Sequence, residues 1–286
     1  MNFTMYSNWY RRVKECGIEA AADEAVRLGF SSVEFFEFIS KDREETVPSL
    51  EAAREYRRVL NARGLSVACY SVAVGLYDPT SPDGIDHAAE QKLMQYVERA
   101  VLLGSPYLHH TITIGAAGKP ISYGKMLATV LPAVVRVAKY AAMFGIRCLY
   151  EDQGLYFNGV DGFGAFYKAV KAQEPTVGIC GDIGNTLFVN EEPLAFFREF
   201  ASEFCHVHLK DYVPCHAEDE GAAAVQDGSY VKECVIGQGV IDTPACLAVL
   251  ESIGYKGAIA LENNHAEDYE QGVRTAMELV RQHINL

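Results

Sequence analysis

Eight times along its length the chain passes from a short apolar or aromatic run into a helical pattern, and this alternation limits its fold more than any other feature. The runs lie at 3–7, 32–36, 65–72, 107–112, 146–151, 177–182, 205–209 and 258–262. The helical patterns follow at 18–28, 48–62, 86–103, 123–144, 162–172, 193–202, 243–253 and 269–282. Gly29, Gly64, Gly104 and Gly145 stand where helices should close, a position that favours a residue free to turn left-handed. Strands joined through helices run parallel, and eight such units fit a closed (β/α)8 barrel better than an open doubly wound sheet. The expectation is therefore one domain over 1–286, with an acidic insertion at 214–239 after the seventh strand. That insertion carries His216, Glu218, Asp219 and Glu220 and reads as a solvated loop, lid, specificity loop or subunit contact.

In a parallel barrel the carboxyl ends of all strands share one side, where active sites of this architecture form. Three runs end there on a carboxylate, Glu151, Asp182 and Glu262, and a fourth carries His208 one residue from its end. Taken singly, a carboxylate at a strand end caps the next helix or faces water. Three of them gathered without a cation would repel one another, and a divalent ion removes that repulsion. The donor set is oxygen-rich with one imidazole and no thiolate placed to join. It suits Mn2+ first, with Mg2+ or Co2+, and leaves Zn2+ as a borderline choice.

The net charge of −13 and the lack of a Lys/Arg block argue against nucleic acid, whose affinity rests on phosphate neutralisation. The longest apolar region, 126–146, is interrupted by Pro132, Arg136 and Lys139 and reads as a helix of a soluble protein, not a membrane span. Eight cysteines occur without a CxxC pair, and Cys69, Cys148, Cys180 and Cys205 sit inside apolar runs. Reduced, mostly buried thiols and the absence of a signal pattern at the N-terminus lead to the expectation of a cytoplasmic protein.

Five motifs occur in a telling order: Leu-Tyr-Glu-Asp at 149–152, Gly-Asp-Ile-Gly-Asn at 181–185, His-Val-His-Leu-Lys-Asp at 206–211, Gly-Gln-Gly-Val-Ile-Asp at 237–242 and Ala-Leu-Glu-Asn at 260–263. With them the chain resembles, over nearly its whole length, the xylose isomerase-like TIM barrels. That superfamily includes sugar isomerases and epimerases, inosose dehydratase and endonuclease IV. The resemblance implies that Glu151, Asp182, His208 and Glu262 bind one metal and that Glu151 and Glu262 flank the substrate carbon. It also implies a carbohydrate substrate and a dimer or larger oligomer, with a different partner subunit as a further option.

Two departures bear on the reaction. Asn185 stands where the epimerases usually carry a histidine, and Pro214 where they place an arginine, so the sugar contacts differ while the metal set is intact. Asn185 still offers a donor and an acceptor to a sugar. Endonuclease IV needs further zinc ligands where this chain has Asn185 and His206. Lys210 is expected either to polarise a substrate oxygen or to pair with Asp211 or another nearby acid. By alternation one of His109 and His110 faces the barrel interior, and His110 is carried as a substrate-contact candidate. Tyr6 and Trp9, with Phe36, Phe38 and Tyr70, are candidates for stacking on a sugar or for packing, and Glu37 is a further polar candidate. No nucleotide motif occurs, and the turn Gly237-Gln238-Gly239 is a weak phosphate signal.

The sequence thus points to a divalent-metal-dependent isomerase or epimerase of an unphosphorylated sugar, polyol or oxo-sugar, working through an enediolate with Glu151 and Glu262 as acid and base. The alternatives are a lyase of the inosose dehydratase or C-glycoside deglycosidase kind, and a non-catalytic sugar- or partner-binding barrel.

Overall fold

The computed structural model describes residues 2–39, 49–112, 121–154, 156–262 and 269–284, with the backbone alone for 37–39. Chain order is β1 (Asn2–Met5), α1 (Ser7–Leu28), β2 (Ser32–Ile39), α2 (Leu50–Asn61), β3 (Ser66–Val74), α3 (His87–Leu103), β4 (Tyr107–Thr111), α4 (Tyr123–Met143), β5 (Arg147–Tyr150), α5 (Gly159–Lys171), β6 (Gly178–Asp182) and α6 (Pro193–Phe200). It continues with β7 (Phe204–Leu209), β8 (Asp211–Cys215), β9 (Ala223–Ala224), β10 (Tyr230–Cys234), α7 (Thr243–Ser252), β11 (Ala258–Leu261) and α8 (Tyr269–His283). Eight of the strands close a parallel barrel in the order β1-β11-β7-β6-β5-β4-β3-β2, the (β/α)8 fold expected from the alternation.

The chain gathers into two compact units, residues 34–179 and residues 1–33 with 180–286. In the first, β3, β4 and β5 pair in parallel, with Ser71 opposite His109, Val72 opposite His110 and His109 opposite Leu149. Helices form where caps and apolar spacing agree. The Ser49 hydroxyl accepts from Ala52 N at the start of α2, and Asp86 accepts from Ala89 N at the start of α3. Gly104, at φ 78°, closes α3 by donating back to Ala100 and Val101. Leu93, Tyr96, Val130, Val134, Val137, Cys148, Phe163 and Phe166 are buried there, the larger ones contributing about 1.5–3 kcal/mol each. Among the described residues α4 is the one helix long and apolar enough to cross a membrane, but its apolar stripe from Met126 to Ala141 is buried protein core. Its Arg136 instead forks onto Glu90 of α3 at 2.5 and 2.9 Å, holding that carboxyl below its ordinary range despite partial burial.

In the second unit β1 pairs with β2 and β11, and β11 with β7, so that Ala260 lies opposite His208. Two elements differ from the sequence reading. Helix α1 begins at Ser7, eleven residues before the expected start at 18, because Gly17 (φ 82°, ψ 166°) breaks the helical path without ending the element. The stretch from Asp211 is also more ordered than a solvated loop, since β8, β10 and β9 form an antiparallel sheet with Val231 opposite Pro214. Among the described residues no disulfide joins any of the eight cysteines.

Candidate functional site

The first unit brings four buried polar groups together on neighbouring strands: Glu34 of β2, Ser71 of β3, His109 of β4 and Glu151 just past β5. Ser71 Oγ donates a short hydrogen bond to Glu34 Oε1 and lies 3.0 Å from His109 Nδ1. His109 Nε2 is 3.4 Å from Glu151 Oε2.

His110 is turned the other way. It packs edge-on against Tyr150 at 4.9 Å, and Tyr150 packs on Phe166 of α5, so this ring belongs to the layer between strands and helices. The substrate-contact candidate on β4 is thereby corrected, because the pairing of Ser71 with His109 sends His109 inward and its neighbour outward. Burial, with a smaller contribution from the charge of His109, takes the His110 pKa down to about 3. The unfolded chain then takes up this proton near pH 6.5 and the folded chain does not, so stability is full above pH 6.5 and falls as pH drops towards 3. His110 alone should remove about 2 kcal/mol between pH 7 and pH 5. Urea midpoints should show that acid sensitivity shrinking in His110→Phe, and an unchanged pH slope would refute the assignment.

The second unit holds the other carboxylates. Asp182 ends β6 fully buried, and its Oδ1 accepts from the backbone N–H of Gly184 at 2.7 Å and of Asn185 at 2.9 Å, which starts a short 3-10 turn over Asn185–Val189. Asn185 itself is buried there. Lys210, at the end of β7, reaches Asp182 Oδ2 at 2.9 Å and Glu262 Oε2 at 3.2 Å. Glu262 is held at the end of β11 by its N–H, donated to Leu209 O at 2.9 Å. His208 Nδ1 is 3.8 Å from Asp182 Oδ2, and its ring lies edge-on to His206 at 5.1 Å.

Lys210 therefore pairs with acids of β6 and β11 and not with Asp211. The fully buried Asp211 is turned away and accepts the N–H groups of Tyr212, Gly237, Gly239 and Ile241 at 2.9, 3.0, 2.9 and 3.2 Å. The turn read as a weak phosphate signal thus spends its N–H groups on an internal carboxylate. Gly239 fits because a Cβ there would collide with Asp211 and the Tyr212 carbonyl.

Three of the aromatic candidates, Tyr6, Trp9 and Tyr70, are packed, while Phe36 is half-buried. Tyr6 stacks on the His208 imidazole at 4.5 Å, and so spends one ring face on a histidine. Trp9 is 1% exposed within α1, which places it in the core instead of at a rim. Tyr70 is buried edge-on against Phe35 and Tyr96. Glu37 and Phe38 lie outside the described side chains. Sequence reasoning missed Glu34 and Ser71, although a carboxylate inside the apolar run Ser-Val-Glu-Phe-Phe was a usable signal.

The described residues include buried sets of imidazole, thiol and carboxylate groups that could hold a metal ion. The family described as xylose isomerase-like TIM barrel matches residues 22–283. An inosose dehydratase of Bacillus cereus (strain AH820) is 30% identical over 128 residues, covering 40% of this chain and 42% of that protein, so the match spans less than half of the relative. Among solved structures, the IolI protein with a binding zinc atom superposes with a TM-score of 0.74 at 14% identity, covering all of both chains. D-psicose 3-epimerase with D-tagatose, from Clostridium cellulolyticum H10, does so with a TM-score of 0.74 at 16% identity, again over all of both chains. At these identities the two structures speak for the fold.

Proposed function

Since the chain belongs to the xylose isomerase-like TIM barrel family, we propose that it is a divalent-metal-dependent isomerase or epimerase of a sugar, polyol or oxo-sugar, with Glu151, Asp182, His208 and Glu262 as the metal ligands. The observation that carries this reading is the placement of the four groups at the carboxyl ends of β5, β6, β7 and β11, consecutive strands of a closed parallel barrel. Charge supports it. Three carboxylates against the single ammonium of Lys210 leave two negative charges, which one divalent ion balances. The donors, oxygen-rich with one imidazole, suit Mn2+, Mg2+ or Co2+, with Zn2+ compatible.

When bound, such an ion polarises a carbonyl and a neighbouring hydroxyl and stabilises charge that develops on them. The chain's own part is proton transfer. One of Glu151 and Glu262 takes the proton from the substrate carbon, and the other returns one from the opposite face, which inverts the centre; return to a neighbouring carbon isomerises instead. Lys210, already ion-paired with Glu262, would hold that carboxylate in place and present an ammonium hydrogen to a substrate oxygen. The partial likeness to an inosose dehydratase, over 128 residues, favours one second reading, elimination, in which the same proton removal expels a substituent from the adjacent carbon.

The test joins elemental analysis of the purified chain to deuterium exchange from heavy water into a panel of ketoses, inososes and 3-oxo-glucosides. The expected result is a bound divalent metal and exchange that a chelator abolishes and added Mn2+ restores. Inversion, isomerisation or loss of a substituent then names the reaction. A chain that binds no metal and exchanges nothing would leave the non-catalytic barrel as the better reading.

A further inference from the structure

Residues 208, 210 and 212 lie in one extended run, from the end of β7 to the start of β8, where alternate side chains share a side. His208 and Lys210 already belong to the candidate site, and Tyr212 is the next group in the row. The proton transfers proposed for Glu151 and Glu262 give it no role. Its ring is nevertheless closely placed. Phe188 of the 3-10 turn packs edge-on against it at 5.5 Å. The ring edge passes Gly184 beside the Lys210 stem, for a Cβ at Gly184 would lie 2.7 Å from Tyr212 Cε2 and 2.9 and 3.0 Å from Lys210 Cγ and Cε. Gly184 thus leaves room for a phenol and an ammonium side by side. The backbone is pinned as well: Tyr212 N–H donates to Asp211 Oδ1 at 2.9 Å, and Tyr212 O accepts from Val240 N–H at 2.8 Å.

The hydroxyl is the exception to this order. Tyr212 is 5% exposed, and a tyrosine so deeply buried ordinarily finds a protein partner for its hydroxyl. Among the described residues none is hydrogen-bonded to it. Burial is the main cause that raises its pKa from the ordinary value, with Lys210 lowering it and Glu262, Asp182 and Glu233 adding to the rise. The hydroxyl therefore keeps its hydrogen and lies within the field of the groups that build the site. A fixed ring with an uncommitted donor is what a pocket needs to read one oxygen of a ligand.

Resting on the isomerase reading, we propose that Tyr212 determines specificity by donating a hydrogen bond to a substrate hydroxyl that takes no part in the reaction. The two reacting oxygens, a carbonyl and its neighbouring hydroxyl, are those a divalent ion polarises, so the phenol is left to read an oxygen outside that pair. The charge around it selects the kind of oxygen. Glu233 stands opposite Tyr212 across β8 and β10, where side chains of a facing pair share a side. An anionic phosphate at that point would meet a carboxylate, and an uncharged hydroxyl meets no such repulsion. A site built to hydrogen-bond a hydroxyl also rejects the analogue that lacks it, which turns one contact into a preference among sugars.

Tyr212→Phe removes the hydroxyl and keeps the ring against Phe188 and Gly184, so the variant should fold with an unchanged circular dichroism spectrum. The contact is tested first, by 13C NMR of the full-length chain labelled at tyrosine Cζ, with the Tyr212 signal identified by its loss in Tyr212→Phe. Each ketose and inosose of the panel is titrated in turn. A saturable shift of that signal is expected with at least one unphosphorylated sugar, and no shift with any of them would overturn the contact, whether or not the sugar reacts. The effect on turnover is read from steady-state kinetics. For a sugar that the wild type converts, Tyr212→Phe should raise KM by about 3–10-fold and leave kcat within about twofold, as expected when one neutral hydrogen bond, made alike in ground and transition states, is lost. The difference between the two chains should vanish with one singly deoxygenated analogue of that sugar. An unchanged KM, or a difference that persists with every deoxygenated analogue, would overturn the specificity role. A wild-type chain that exchanges nothing ends the isomerase reading, whereas the sugar-induced shift of the Tyr212 signal still decides the contact independently.

Discussion

Glu262→Gln is expected to leave the barrel folded and to lower the rate of carbon–hydrogen exchange by about 10²–10⁴-fold, the range that a positioned acid or base contributes. The substitution keeps the shape of the side chain and removes its charge and its basicity. Two consequences follow together. A proposed metal ligand loses its charge, so metal affinity falls, and the ammonium of Lys210 is left to Asp182 alone of its two present partners. Far-ultraviolet circular dichroism and thermal unfolding check the fold, titration calorimetry checks the metal, and deuterium exchange at saturating metal isolates the proton transfer. Exchange at the wild-type rate under saturating metal would remove Glu262 from the acid/base pair. A loss fully restored by excess metal would leave it as a ligand only.

Asp211→Ala should produce the largest loss of stability. Asp211 collects four backbone N–H groups, from Tyr212, Gly237, Gly239 and Ile241, in a fully buried position. Hydrogen bonds to a charged acceptor are worth about 1.5–3 kcal/mol each, and donors stranded in the interior cost a similar amount. Even after relaxation of the turn and entry of water, a loss of about 4 kcal/mol is expected, which lowers Tm by roughly 10 °C in a chain of this size. Amide hydrogen exchange should quicken at Gly237, Gly239 and Ile241 first, because these three rely on Asp211. Asp211→Asn, with one acceptor oxygen left, should fall between the two. A Tm within about 2 °C of the wild type would mean that the clamp contributes little.

Lys210 and Asp211 show why neighbours in sequence are a poor guide to partners. Successive side chains of an extended segment point to opposite sides, so the ammonium and the carboxylate that look like a pair on paper diverge. The same rule left His109 and His110 undecided, since alternation says that one of them faces inward but not which one. The register of β4 against β3, with Ser71 opposite His109, makes the choice. The hairpin after β7 was read as loop because its strands are short and carry Pro214 and a charged turn, weak signals for pairing that depends on a distant partner, Val231. The first half of α1 was missed for the opposite reason: Gly17 looks like a terminus, and it is a kink.

Periodicity and punctuation are local properties, and they were enough for what the sequence determined by itself: eight strand–helix units, the glycines that close helices, the parallel barrel, and the position of Glu151, Asp182, His208 and Glu262 at strand ends. The tertiary structure decided which way each inward group faces and what it meets. Glu34 finds Ser71 and His109 across three strands, Lys210 finds Asp182 and Glu262, and Asp211 claims the Gly237–Gly239 turn. Those pairings depend on strand register and on burial, which raises the cost of any polar group without a partner, and neither quantity is written in a single segment of the chain.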